Sequence, residues 1–295
     1  MRVLVTGASG QVGASFSAKA KGYGLNVIEI SRQNWDMAKF PQLGEKYIVN
    51  HRPDLVLNCA AFTDVNVAEQ KKEAAFAVNE IAVHSIARGC KKLGVPLLHL
   101  STDYVFNGQK GTAYVETDEL DPLNIYGASK AAGEVAIMKE AEYYLILRTS
   151  WIFSASGVNF INKIQEALRK NNAVSVVNDQ IGCPTSAESL SDLIMTFVKR
   201  FDKGFCFPNG IYHFAGWPAV SWYDLAVEIA KVLKVLEPSL ALPEILACRS
   251  SDFKSGARRP TNSSLDSSKL YKDFDYLPCN WKEDLESLLN KPSSK

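Results

Sequence analysis

The sequence has no surplus of either charge: 33 Lys and Arg stand against 32 Asp and Glu, a net charge of +1 over 295 residues, and no Lys/Arg stripe runs among aromatics. The electrostatic footprint of a nucleic-acid binder is missing. There is no apolar run near the roughly twenty residues that cross a bilayer, so no membrane partner is expected. The first apolar run opens at Val3, directly behind Met1-Arg2, which leaves no space for a basic leader and a signal-peptide core. Residence in the cytoplasm is the expectation. The six cysteines, Cys59, Cys90, Cys183, Cys206, Cys248 and Cys279, show no CxxC spacing, which argues against both a zinc site and a disulfide framework. Histidine is scarce, and His51, His84, His99 and His213 form no local ligand pattern. They read as structural or surface residues, and no metal is assigned.

What is present is the balance of a soluble globular enzyme or binding protein, with 46% hydrophobic and 22% charged residues. The length suffices for one large domain or two smaller ones. Strands are predicted at 2–6, 26–30, 54–61, 95–100 and 144–148, and helices at 73–93 and 123–141, the latter with its lead-in. Only a right-handed parallel sheet meets this alternation economically. The expected fold is therefore α/β, a Rossmann-type doubly wound parallel sheet with a smaller C-terminal α/β substrate domain. Beyond Thr149 the pattern interleaves, with helices at 159–170, 186–200 and 223–235 and strands at 173–177 and 211–214. Residues 1–150 with about 171–216 are read as the nucleotide-binding domain, and about 151–170 with 217–295 as the substrate-binding domain. Residues 292–295 read as a frayed tail.

The first strand runs into Gly7-Ala8-Ser9-Gly10-Gln11-Val12-Gly13. Glycines three apart permit a tight turn and close approach of a ligand, Gly13 lets the next helix pack on the strand, and free amides at the helix start can hold a pyrophosphate. A glycine repeat alone is weak, and its place between a first strand and a helix is the context it needs. Ser9, Gln11 and Val12 join the glycines as candidate cofactor contacts. After the second strand an acid would hold a ribose 2′-hydroxyl, but the chain reads Ser31-Arg32, and a guanidinium suits a 2′-phosphate. NADPH is expected ahead of NADH, with Asp36 near the adenine. Asn58-Cys59-Ala60-Ala61 ends a buried-type strand in small residues that let a loop pass beside a ligand, and Phe62 and Thr63 follow. The strand at 95–100 delivers Ser101-Thr102-Asp103-Tyr104 to the sheet edge where ligands bind.

Tyr126 and Lys130 stand four residues apart, and the alanine-rich stretch that follows makes the segment helical, so both lie on one face. A phenol has a reference pKa of about 10, and an ammonium beside it favours the phenolate. Such a tyrosine can exchange a proton with a carbonyl or alcohol oxygen. The same spacing also suits two ordinary surface residues, and the motifs upstream give the pair its weight.

Together, the Gly7/Gly10/Gly13 loop, Asn58-Cys59-Ala60-Ala61, Ser101-Thr102-Asp103-Tyr104 and Tyr126/Lys130 resemble the extended short-chain dehydrogenase/reductase family. The resemblance implies a catalytic set of Thr102, Tyr126 and Lys130. Within that family, Thr102 to Gly108, Leu123 to Gly127, Arg148 to Trp151, Asp179 to Thr185 and Ala257 to Pro260 look like the dTDP-4-dehydrorhamnose reductases, over nearly the whole chain. That likeness implies NADPH-dependent reduction of the 4-keto group of a nucleotide-linked 6-deoxysugar. Thr63, Tyr104, Trp151 and Asn159 would then border the sugar with Thr102 and Tyr126, and Arg258 or Arg259 would pair with the diphosphate. The family's Asp-Ile-x-Asp-like segment is replaced by Asn34-Trp35-Asp36-Met37. The acids that hold magnesium at a dimer interface in some members do not map onto this sequence, so monomer and homodimer both stay open. Two rivals stand. A nucleotide-sugar epimerase or dehydratase shares the superfamily, but the dehydratases follow the catalytic threonine with an acidic pair, whereas Asp103 precedes Tyr104. The non-catalytic regulatory subunit of methionine adenosyltransferase shares the Tyr-x-x-x-Lys and Arg-Pro segments, with a poorer likeness at 148–151 and 179–182.

Overall fold

Leucine- and valine-rich runs, broken by glycine or polar turns, give five consecutive strands in the computed structural model, which describes residues 1–155, 157–170, 172–253 and 256–290. They are β1 (Arg2–Thr6), β2 (Asn26–Ile30), β3 (Leu55–Asn58), β4 (Leu97–Thr102) and β5 (Tyr144–Thr149). With the strand Gly210–His213 they form a six-stranded, all-parallel sheet in the order β2-β1-β3-β4-β5 and then Gly210–His213. β3 and β4 are buried along their whole length, as parallel strands between helix layers must be. One face packs on helices Gln11–Gly22 and Ala187–Asp202 through Phe16, Leu190, Ile194 and Phe197. The other packs on Gly44–His51, Ala82–Leu93 and Ile125–Glu140 through Ile48, Ile86 and Ile137. β2 lies on one side of β1 and β3 on the other, so the loops leaving the carboxyl ends of β1 and β3 part company. A crevice opens at that switch point.

The structure departs from the sequence reading in several places. The strand at 54–61 closes at Asn58, and Cys59, Ala60 and Ala61 leave the sheet to wall the crevice. The helix at 73–93 is three pieces, Lys72–Phe76, a π turn at Ala77–Ile81, and Ala82–Leu93 ending at Gly94. Asn79 sits within this π turn. Fully buried there, its carboxamide accepts the Phe62 amide at 2.8 Å, donates to Phe62 O at 3.1 Å and reaches Ser129 Oγ at 2.9 Å.

The allotment of 171–216 to the nucleotide-binding domain needs correction. Ala173–Val177 pairs in parallel with Glu244–Cys248, and Val174 and Val176 join a second core with helices Phe160–Lys170, Trp222–Leu236 and Trp281–Asn290. Its alternation of exposed and buried residues is that of a strand covered on one face, unlike the runs of the main sheet. Helix Ala187–Asp202 packs on the main sheet, and Gly210–His213 is its edge strand. The tail at 292–295 lies outside the described residues.

Candidate active site

The crevice holds about 630 Å³ and is walled by the loops after β1, β2 and β3 and by the first turns of helix Ile125–Glu140. Every residue assigned to a cofactor from sequence lines it: Gly7, Ser9, Gly10, Gln11, Val12, Gly13, Arg32, Asp36, Cys59, Ala60, Ala61, Thr63, Tyr126 and Lys130. The glycine loop is tight. Gly10 donates to Gly7 O at 2.9 Å, and a Cβ on Gly13 would lie 2.3 Å from the same oxygen. Gly10 caps helix Gln11–Gly22 without a side chain, so no cap competes for the first-turn amides that suit a pyrophosphate. These residues fit a dinucleotide. Gly13→Ala is expected to weaken dinucleotide binding about tenfold or more and to lower stability by about 1–3 kcal/mol, read by cofactor titration and thermal melting.

At the crevice mouth Arg32 is 83% exposed, with Nε 4.0 Å from Asp36, which Lys39 also approaches at 4.0 Å. Part of the wall was not assigned to a ligand from sequence, notably Trp35, Met37 and Lys71. Trp35 stacks on Tyr47 with centroids 5.2 Å apart and donates Nε1–H to Phe40 O at 2.8 Å. A tryptophan inside the polar turn Asn34-Trp35-Asp36 was the available signal.

Asn124 starts the helix that carries Tyr126. Its Oδ1 accepts the Gly127 amide and its Nδ2 donates to Arg258 O, both at 2.8 Å. Gly127 lets the helix press on the backbone beyond β4, since a Cβ there would meet Tyr104 O at 2.1 Å. Tyr126, Lys130 and Glu134 then follow at intervals of four on one face. Thr102 Oγ1 donates to Asp103 Oδ1 at 3.0 Å, accepts the Tyr104 amide at 3.2 Å and stands against the Tyr126 phenol. Burial pushes the Tyr126 phenol up to about 12, opposed by the Thr102 hydrogen bond and reinforced by Asp103. Asp103 itself is pushed up to about 7 by burial. Lys130, 2% exposed, donates to Leu100 O at 2.6 Å and meets His99 Nε2 at 3.2 Å. Burial brings its ammonium down to about 8, with the charge of Glu134 opposing. The lowering of the tyrosine by the lysine that the sequence led one to expect is not found: the ammonium is engaged by Leu100 O and His99, and burial raises the phenol. Near neutral pH the phenol holds its proton and the amine is charged.

Glu134 accepts from Arg148 Nη2 at 2.7 Å and Nε at 3.0 Å, and from the hydroxyl of Ser101, all of it buried. Arg148 lies opposite Ser101 across β4 and β5, so this pair ties the helix of Tyr126 to the strand that ends in Thr102.

Of the residues assigned to a sugar, Thr63 and Tyr126 line the crevice. Tyr104 meets Tyr126 edge-on, with centroids 5.9 Å apart, and its hydroxyl bonds Arg259. Arg259 also donates to Asn66 Oδ1 at 3.1 Å and Ala257 O at 3.3 Å, while the Arg258 side chain is exposed. Trp151 has a positive φ of 45°, and its indole stacks on Trp222 at 3.4 Å on the edge of the second core. Asn159 is buried just before helix Phe160–Lys170. Its carboxamide donates to Gln11 Oε1 at 3.0 Å and Ser154 O at 2.8 Å and accepts the Asn162 amide at 3.0 Å, so it ties the second core to the glycine loop. Among the described residues, no group of His, Cys, Asp and Glu is placed to hold a metal ion, the cysteines are free, and no helix is long and apolar enough to cross a membrane.

A glycine loop at the switch point of a parallel sheet, opening on a half-buried Tyr and a buried Lys from one helix, defines a short-chain dehydrogenase/reductase of the extended type, its second core being the extension. Comparison with known proteins narrows the class. The RmlD substrate binding domain family matches residues 1–293. The dTDP-4-dehydrorhamnose reductase of Sinorhizobium fredii is 36% identical over 291 residues, covering 98% of this chain and 97% of that protein. Among solved structures, the dTDP-4-dehydrorhamnose reductase of Clostridium acetobutylicum superposes with a TM-score of 0.90 at 29% identity, over 98% of this chain and 99% of that one. The Bacillus anthracis reductase, solved in complex with NADP, gives 0.89 at 28% identity over 98% of each chain. The chain belongs to the dTDP-4-dehydrorhamnose reductase family.

Proposed function

We propose that this protein reduces the 4-keto group of a nucleotide-linked 6-deoxysugar with NADPH, a reaction of the dTDP-4-dehydrorhamnose to dTDP-rhamnose type. The observation that carries the reading is the meeting of Tyr126, Lys130 and the Gly7 to Gly13 loop in one crevice, with the Thr102 hydroxyl against the phenol. When bound, NADPH supplies the hydride. The first-turn amides with Ser9, Gln11 and Val12 would hold its pyrophosphate, Arg32 its 2′-phosphate, and Cys59, Ala60, Ala61 and Thr63 would run beside it. Tyr126 gives its proton to the ketone oxygen as that oxygen gains charge, and Thr102 hydrogen-bonds the same atom. Lys130 contributes the positive charge that eases departure of the phenolic proton, and would hold the nicotinamide ribose. The second core, with Trp151, would carry the nucleotide-sugar, and Tyr104 with Arg258 or Arg259 would face its sugar and diphosphate.

The charge on Lys130 sets a pH dependence. The ammonium is the form required, it is present below its value of about 8, and it is lost above. kcat/KM is expected to fall on the alkaline side with a midpoint near that value, while Tyr126, at about 12, titrates beyond the range. A pH profile of initial rates checks this.

The function is tested by mixing the purified chain with NADPH and dTDP-4-dehydrorhamnose and following loss of the reduced-nicotinamide absorbance. One NADPH consumed per sugar reduced is the expected result. Conversion of the sugar without NADPH consumption would point to an epimerase. NADPH that binds but is not consumed with any of a panel of keto-sugars, together with a stable complex with methionine adenosyltransferase, would overturn the enzyme reading.

A further inference from the structure

Three buried polar side chains cross the main sheet in a single row, and the proposed chemistry does not use them. Thr6, Asn58 and His99 are cross-strand neighbours on β1, β3 and β4, each at most 1% exposed. They are joined end to end: Thr6 Oγ1 to Asn58 Oδ1 at 2.5 Å, Asn58 Nδ2 to His99 Nδ1 at 2.8 Å, and His99 Nε2 to Lys130 Nζ at 3.2 Å. Central parallel strands are ordinarily aliphatic at such positions, so a polar row calls for a cause.

Donor and acceptor parity supplies one. An ammonium only donates, so His99 Nε2 must carry no proton while Lys130 is charged. The imidazole proton then sits on Nδ1 and needs the Asn58 oxygen as its acceptor, with the amide nitrogen turned toward Thr6. A neutral amine can accept instead. The proton then sits on Nε2, and Nδ1 accepts from the Asn58 nitrogen. Both arrangements fit the same heavy-atom positions, because a half-turn of a carboxamide exchanges its oxygen and nitrogen and the Thr6 hydroxyl both donates and accepts. The imidazole is neutral in each, in keeping with the burial and the Lys130 charge that hold His99 well below the usual histidine value.

We propose that His99 is a positioning residue for Lys130 whose tautomer is coupled to the lysine's charge, Nδ1–H against the ammonium and Nε2–H against the amine. Its purpose rests on the catalytic assignment of Lys130 above. The lysine keeps a bonded partner in either state, so gain or loss of its proton is absorbed by hydrogens and an amide half-turn with the backbone unmoved. The other titratable groups facing Lys130 are Tyr126 and Glu134 on its own helix and Cys59 from the loop after β3, with Arg148 of β5 held by Glu134. Burial pushes the Cys59 thiol up to about 12, so it stays neutral where Lys130 titrates. His213 is an internal control. Its Nδ1 lies 3.0 Å from Tyr114 O, which only accepts, and its Nε2 3.3 Å from Arg148 Nη1, which only donates, so its tautomer is fixed as Nδ1–H.

The test uses the full chain labelled with nitrogen-15 histidine, with no substrate added. Long-range proton–nitrogen correlation spectra are recorded from about pH 6 to about pH 10, and the His99 signals are assigned by their loss in His99→Gln. The expected result is a neutral His99 that passes from Nδ1–H to Nε2–H with a midpoint near the Lys130 value of about 8, while His213 does not change. In Lys130→Arg, where the guanidinium stays charged, His99 is expected to remain Nδ1–H throughout. A wild-type His99 that keeps one tautomer over the range, or becomes an imidazolium within it, overturns the proposal, as does a tautomer change that survives in Lys130→Arg. Because no sugar enters the experiment, its outcome stands apart from whether the protein reduces one.

Discussion

Tyr126→Phe is expected to lower kcat by about 10²–10⁴-fold, the usual contribution of a positioned general acid, while NADPH still binds. The phenylalanine ring preserves the edge-on contact with Tyr104 and the side chain's place in the crevice wall, so the fold and the glycine loop are untouched. What disappears is the phenolic proton held against the Thr102 hydroxyl. Water is a poor replacement for a donor held in place by its helix, and Thr102 alone can only hydrogen-bond the developing charge. Steady-state rates combined with a cofactor titration separate the two effects. Turnover near that of the wild type would remove Tyr126 from the role of acid.

Glu134→Leu is expected to have the largest effect on stability. The glutamate is fully buried, and its loss leaves the Arg148 guanidinium, 2% exposed, without its anion. Breaking a buried pair from one side costs about 3–5 kcal/mol, because the remaining charge is desolvated and uncompensated. In a chain of this size that corresponds to a fall in melting temperature of roughly 5–8 °C. Ser101 loses its acceptor as well, and Arg148 keeps, among the described residues, Glu116 O, His213 and the face of Phe106. The double variant Glu134→Leu/Arg148→Met is expected to recover much of the loss, since replacing both charges with apolar groups is far milder than stranding one. A double variant less stable than the single one would mean that the arginine is held by its other partners and that the pair is not what ties the helix to the sheet. Melting curves of the three proteins decide between these.

Local sequence made the main sheet and the cofactor wall readable. β1 and β2 coincide with the predicted 2–6 and 26–30, and the residues after them end up in the crevice because the carboxyl edge of a parallel strand fixes where its loop goes. Tyr126 and Lys130 were legible for a similar reason, as a spacing of four on a helix fixes a shared face. Long-range partners were not legible. Asn79 bonds Phe62 and Ser129, partners that no apolar periodicity announces. Asn159 was assigned to the sugar only through the family likeness, and its contact with Gln11 on the glycine loop, between remote parts of the chain, could not be read locally. Val174 and Val176 marked a strand correctly but not its neighbour, because Glu244–Cys248 lies far along the chain and pairing register is set by tertiary packing. The lysine's direction was hidden in the same way. Nothing in Tyr-x-x-x-Lys reveals that β4 offers it a carbonyl and an imidazole.

The most direct measurement is isotopic. NADPH carrying deuterium at its transferable position is supplied with dTDP-4-dehydrorhamnose and the purified protein, and the sugar product is examined by mass and NMR. A reductase that uses Tyr126 and Lys130 in this crevice yields one deuterium, bound at C4 of the sugar. A product without deuterium, or with deuterium at another carbon, would contradict hydride delivery to the 4-keto group.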